Sequence, residues 1–122
     1  MYTLLFFAIQ FFINTVIFDI KDIKGDRLKS IKTLPNTFGI EKTKLICNAA
    51  SVTSIIFIFL GIIYRLLPIY TLTVLLPFAF YVITYTYYSH KNKNTFFYGL
   101  FVDGEFIFLL FIFFISRLLN II

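Results

Sequence analysis

The stretch Phe11-Phe12-Ile13-Asn14-Thr15-Val16-Ile17-Phe18-Asp19-Ile20-Lys21-Asp22-Ile23-Lys24-Gly25-Asp26-Arg27 passes without a break from apolar residues into alternating acid and base. A helix carried through it places Asp19, Asp22 and Asp26 at i, i+3 and i+7. At about 100° per residue the three fall within an arc of roughly 60° on one face. Half of the six acidic residues of a chain with net charge +5 therefore address one small volume. Carboxylates that close repel one another unless a cation holds them, so the cluster points to a divalent metal.

Composition sets the solvent of the fold. The 122 residues are 60% hydrophobic and 14% charged, with a mean hydropathy of +0.91, against roughly 25% charged residues in an ordinary soluble domain. The apolar stretches are long instead of alternating. This predicts an all-α integral membrane bundle, because only internally hydrogen-bonded helices or closed barrels satisfy the backbone in hydrocarbon. Four spanning helices are expected, at about 2–20, 45–63, 66–88 and 98–119, in one transmembrane domain over residues 1–122. Pro77 falls within the third, where a proline removes a backbone bond and kinks a helix. The lone Cys47 excludes an internal disulfide and is read as a small buried side chain. The first segment has no basic leader and no cleavage site, so it reads as a spanning helix and not a removed signal peptide.

Charge sets the orientation. Lys21, Lys24, Arg27, Lys29, Lys32, Lys42 and Lys44 follow the first segment, and Lys91 and Lys93, beside His90, follow the third. The opposite side holds only Arg65 and Arg117, so the count is nine against two. The excess marks the cytoplasmic side, facing the aspartate-bearing loop inward and both termini outward. It is explained by topology and does not call for nucleic acid. In the fourth segment Asp103 and Glu105 interrupt the apolar run. They either turn into the bundle interior or cap an interfacial helix start, and the sequence leaves both open.

The connection at about 21–44 is long for a helix bundle and holds most of the chemistry. Mg²⁺ takes oxygen ligands and keeps several waters, so one or two carboxylates plus phosphate oxygens suit it. Arg27 offers a forked contact to phosphate, while Lys21, Lys29 and Lys32 offer mobile point charges. The set suits metal-assisted departure of a phosphate or diphosphate group. A plainer alternative is a small non-catalytic membrane protein or subunit whose basic cytoplasmic loop binds anionic lipid.

The string Asp19 to Arg27, followed by Lys32-Thr33-Leu34-Pro35 and Gly39, resembles the second aspartate-rich region of the UbiA prenyltransferase superfamily. Asp22 and Asp26 match its D-x-x-x-D element, and the four segments resemble the C-terminal part of its nine-helix fold. The resemblance implies a magnesium-dependent prenyltransferase, moving a prenyl group from an isoprenoid diphosphate to an aromatic or lipid acceptor. It implies Asp22 and Asp26, with Asp19, as Mg²⁺ ligands, and Lys32 and Arg27 as diphosphate contacts. An aromatic-lined cavity would then stabilise the allylic cation. The family's first motif, N-D-x-x-D, has no counterpart here, the other acids being Glu41, Asp103 and Glu105. The expectation is therefore a C-terminal piece, split product or truncated frame, inactive alone, with its missing helices supplied by another polypeptide. The CDP-alcohol phosphotransferases are a poorer match: Gly25-Asp26-Arg27 does not give their D-G-x-x-A-R. The acceptor and the prenyl length are not written in these residues.

Overall fold

A computed structural model describes residues 2–89 and 95–120. Among them the chain is all helical: α1 (Tyr2–Leu28), α2 (Leu34–Phe38), α3 (Ile40–Ile63), α4 (Thr71–Tyr88), α5 (Thr95–Phe97), a π-helical turn (Tyr98–Val102) and α6 (Glu105–Leu118). Four helical stretches are long and apolar enough to cross a membrane, the fourth being Thr95–Leu118. The expected fold class is the one observed. α1 packs mainly on α3, α3 on α4 and α4 on α6, while α2 lies across the ends of α1 and α3.

The core forms where the inward stripes of the spans meet. Phe6, Ile13 and Ile17 of α1, Ile58 of α3, Phe78, Ala79 and Val82 of α4 and Val102 are all essentially inaccessible. Lipid tails are as apolar as these side chains, so association relies on close packing and on polar contacts between helices. Gln10 supplies one, its Nε2 donating to Ser54 Oγ at 2.8 Å, and Ser54 donates on to the Ser51 carbonyl at 2.7 Å. Outward residues such as Ile107, Leu110 and Phe114 remain exposed, as lipid-facing positions do.

Helix ends differ from the sequence expectation for a common reason. The stretch 21–44 was expected to be one connection, yet residues 21–28, 34–38 and 40–44 are helical. Gly25 does not stop α1, which runs three residues further to Leu28 and closes through paired backbone bonds, Ile31 N to Asp26 O at 2.9 Å and Ser30 N to Arg27 O at 3.2 Å. Ser30 holds the left-handed φ of 55° that this closure needs. α3 ends identically, with Arg65 at φ 57° and bonds from Leu66 N to Gly61 O and Arg65 N to Ile62 O. Neither end carries the glycine that usually marks such a cap. Gly39, by contrast, is needed: φ 83° with ψ 161° joins α2 to α3 in a region nearly closed to other residues. Pro77 lies inside α4, and the helix continues through it.

The fourth span is discontinuous. Asp103 N bonds five residues back to the Tyr98 carbonyl at 3.0 Å, which widens the turn before α6 begins at Glu105. Two side chains from other helices take up carbonyls at this break. Asn14 Nδ2 donates to Val102 O at 3.0 Å and the Tyr81 hydroxyl donates to Phe101 O at 2.7 Å. A third, the Tyr85 hydroxyl, donates to Glu105 Oε2 at 2.8 Å. Irregular backbone at membrane depth persists only where such partners exist.

Candidate functional site

Because α1 continues to Leu28, Asp19, Asp22 and Asp26 do share a helix face. The buried residues of α1, among them Ile13, Val16, Ile17 and Ile20, centre roughly 150° around the axis from that face at about 100° per residue. The carboxylates look away from the core of their own bundle. Leu4, Leu5, Phe11 and Phe12 lie below them on the same side, with 74, 42, 52 and 45% of their surfaces exposed. One continuous strip of α1 is thus apolar for four turns and acidic for the last two.

Asp22 is exposed, and Asp19 and Asp26 are partly covered. Among the described residues, no three of the His, Cys, Asp and Glu side chains converge closely enough to hold a metal ion. The three aspartates share a face without forming a closed cage. Hard oxygen donors in that open arrangement fit a cation that keeps water and takes phosphate oxygens, and do not fit one fully wrapped by protein.

The basic residues divide into engaged and open ones. Lys21 is not a mobile point charge: its Nζ sits 5.5 Å from the Phe18 ring centre and 5.6 Å from that of Tyr98, a cation held over two aromatic faces. Arg27 Nε donates to Asn36 Oδ1 at 3.2 Å, and Asn36 Nδ2 donates to Ile31 O at 3.1 Å. This pair turns the chain so that α2 folds back on the end of α1, with Pro35 buried beneath. Lys24, Lys29, Lys32 and Lys42 are exposed. Lys44 lies within α3, where its Nζ donates to the Tyr87 carbonyl at 2.9 Å. The expectations for His90, Lys91 and Lys93 fall outside the described residues. Replacing Arg27 by Gln is expected to loosen α2 by about 0.5–1 kcal/mol, the scale of a polar contact at a surface. Faster amide exchange across Leu34–Phe38, with α1 and α3 unchanged, is the expected readout.

The two acids of the fourth span separate. Asp103 is exposed at the break, whereas Glu105 is fully buried against Tyr85. Glu105 is the acid that turns into the bundle interior; Asp103 lies outside it, and the residue at the N-cap of α6 is Gly104, with no side-chain cap bond. Two residues near the site escaped the sequence reading. Tyr98 is buried beside Lys21, and its hydroxyl donates to the Ser89 carbonyl. Asn36 sets the Arg27 side chain. Tyr98 carried no signal among 18 Phe and 8 Tyr; Asn36, directly after Leu34-Pro35, sits at a helix start where short polar residues commonly bond to nearby backbone.

A profile described as the UbiA prenyltransferase family matches residues 1–115. No curated protein and no solved structure matches the chain.

Proposed function

The chain belongs to the UbiA prenyltransferase family, and from that premise we propose that the acidic strip of α1 binds the diphosphate of an isoprenoid donor. Membership, with four membrane-crossing helices, makes it an integral membrane protein of a prenyltransferase type. One observation carries the finer reading: the aspartates share a face with uncovered apolar side chains and turn from their own core. A molecule with a charged head and a hydrocarbon tail matches such a strip from end to end.

In this reading Asp22 and Asp26, with Asp19, hold Mg²⁺ at the cytoplasmic end of α1. When bound, Mg²⁺ supplies Lewis-acid stabilisation to the departing diphosphate. Arg27, anchored through Nε, keeps its two terminal nitrogens for phosphate oxygens, and Lys32 brings a further charge from the exposed α1–α2 connection. The carbon–oxygen bond would break with its electron pair leaving on the diphosphate, and the prenyl carbon would bond to an aromatic or lipid acceptor in the apolar part of the strip, the acceptor giving up the proton it replaces. Opposing ligands come from helices packed on that strip, because the remaining acids of these 122 residues, Glu41, Asp103 and Glu105, lie elsewhere. A partner polypeptide is one carrier of them.

The test is equilibrium binding of farnesyl thiolodiphosphate to the purified chain in detergent, with and without Mg²⁺. Binding that requires Mg²⁺, without prenyl transfer by this chain alone, is expected. Transfer from farnesyl diphosphate itself by the chain alone would overturn the half-site, and analogue binding indifferent to Mg²⁺ would overturn the metal. The exposed Lys24, Lys29, Lys32 and Lys42 favour a second reading, a basic surface resting on anionic lipid. It predicts binding to anionic vesicles that Mg²⁺ only weakens, by screening, and that the isoprenoid analogue does not alter.

A further inference from the structure

On the other side of the bundle, a cavity of about 410 Å³ lies between α4 and the start of the fourth span. Its walls are Tyr81, Thr84, Tyr85, Tyr88, Phe97 and Phe101. Tyr81 and Tyr85 meet edge to face at 5.7 Å and 80°, while Phe97 and Phe101 lie nearly parallel at 5.5 Å. The cavity reaches the level of Ser89, whose carbonyl accepts from Tyr98 beside Lys21. Its upper end is therefore at the depth where α1 turns from apolar to charged, the depth of lipid headgroups.

Behind this aromatic wall stands Glu105. It is wholly buried, and Tyr85, which lines the cavity, donates to its Oε2. Oε1 has no hydrogen-bond partner among the described residues. Asn14 stands close by; its amide gives one hydrogen to the Val102 carbonyl and has a second to turn toward Glu105. A buried acidic group short of hydrogen bonds among the described residues is costly to ionise, and such groups mark ligand or ion sites inside membrane bundles. Ring faces attract cations, and a phenol that donates to a carboxylate presents a more negative face.

We propose that this cavity binds an alkylammonium group, held among the rings of Tyr81, Tyr85, Tyr88, Phe97 and Phe101 with Glu105 as the buried counter-charge. The cavity suits a methylated or primary ammonium on a short stem, as in a zwitterionic phospholipid headgroup or a free amine. Two features ask for the same ligand: five aromatic residues around the cavity and, behind one of them, a buried acidic group short of a hydrogen bond among the described residues. A purely apolar occupant would fill the cavity and offer Glu105 no charge.

The probe is tetramethylammonium chloride, exchanged against sodium chloride at constant ionic strength, with the purified chain in a neutral maltoside. Tyrosine fluorescence and the unfolding temperature are followed together. A saturable response is expected, with affinity falling about tenfold or more in Glu105→Gln and in Tyr88→Leu. Tyr88 is half exposed at the rim, so its variant keeps the test open if Glu105→Gln does not fold. In bilayer discs of choline lipid the response should vanish if a headgroup fills the site, and in phosphoglycerol lipid it should remain. A response surviving in the choline discs instead identifies a free amine as the occupant. A response that fails to saturate, or persists in Tyr88→Leu, overturns the proposal. So does occupation by an isoprenoid alcohol with no tetramethylammonium response.

Discussion

Asparagine at both Asp22 and Asp26 is expected to abolish Mg²⁺-dependent binding of farnesyl thiolodiphosphate, weakening it by about 100-fold or more, or about 2.7 kcal/mol. The substitution removes two negative charges and keeps the shape of both side chains. Asparagine and aspartate differ little in helix propensity, and Asp22 is exposed with Asp26 only partly covered. The helix should therefore stand, with stability changed by no more than about 0.5 kcal/mol. Calorimetric titration with and without Mg²⁺ measures the first quantity, and loss of helical circular dichroism on heating measures the second. Asp19→Asn alone should cost less, about tenfold, because Asp19 lies one turn deeper and partly covered. Equal losses for Asp19→Asn and the double variant would instead make it a full ligand. Mg²⁺-dependent binding that survives the double substitution would refute the assignment of the metal to this face.

The largest effect on stability is expected at Gly104→Ala. Gly104 sits where the π-helical turn gives way to α6, and an added Cβ there would run into the Leu100 carbonyl oxygen. The obstacle is backbone, so no rotamer change relieves it. Moving that carbonyl disturbs the neighbouring ones that accept from Tyr81 and Asn14, at Phe101 and Val102. The expected cost is about 2–4 kcal/mol, the range for strained backbone together with broken buried contacts. Gly25→Ala is the control: nothing lies within 4 Å of a Cβ there, and alanine should stabilise α1 by about 0.5–1 kcal/mol. Unfolding in mixed micelles, read by circular dichroism, compares the two. Equal stabilities would mean that the break is not built around a missing side chain.

Much of the fold was legible because the bilayer demands long apolar helices, and those are visible in composition alone. The aspartate register was also legible, since i, i+3 and i+7 is a property of a helix whatever surrounds it. Helix ends were less so. Ser30 and Arg65 adopt a conformation that glycine normally signals, and backbone pairing beyond the helix, invisible in the residue types, selects it. The site's surroundings were hidden for a different reason. Lys21 reads as a free charge until Tyr98, 77 positions away in sequence, is placed under it. Asp103 and Glu105 are two residues apart and chemically alike, yet the π-helical turn and the break after it set one outside and the other within. Only the partner helices decide that, and a single sequence does not name them.

The unbroken run of α1 from Tyr2 to Leu28 has a consequence for how its charged end is aimed. Gln10 locks the helix to α3 and Asn14 locks it to the fourth span, so its rotation about its own axis is keyed well inside the membrane. The carboxylates inherit their compass bearing from those two amides. One residue gained or lost between Asn14 and Asp19 would swing them by about 100°, with every aspartate still present and none pointing the same way. For this helix, angular phase is as much a part of the site as the acids themselves.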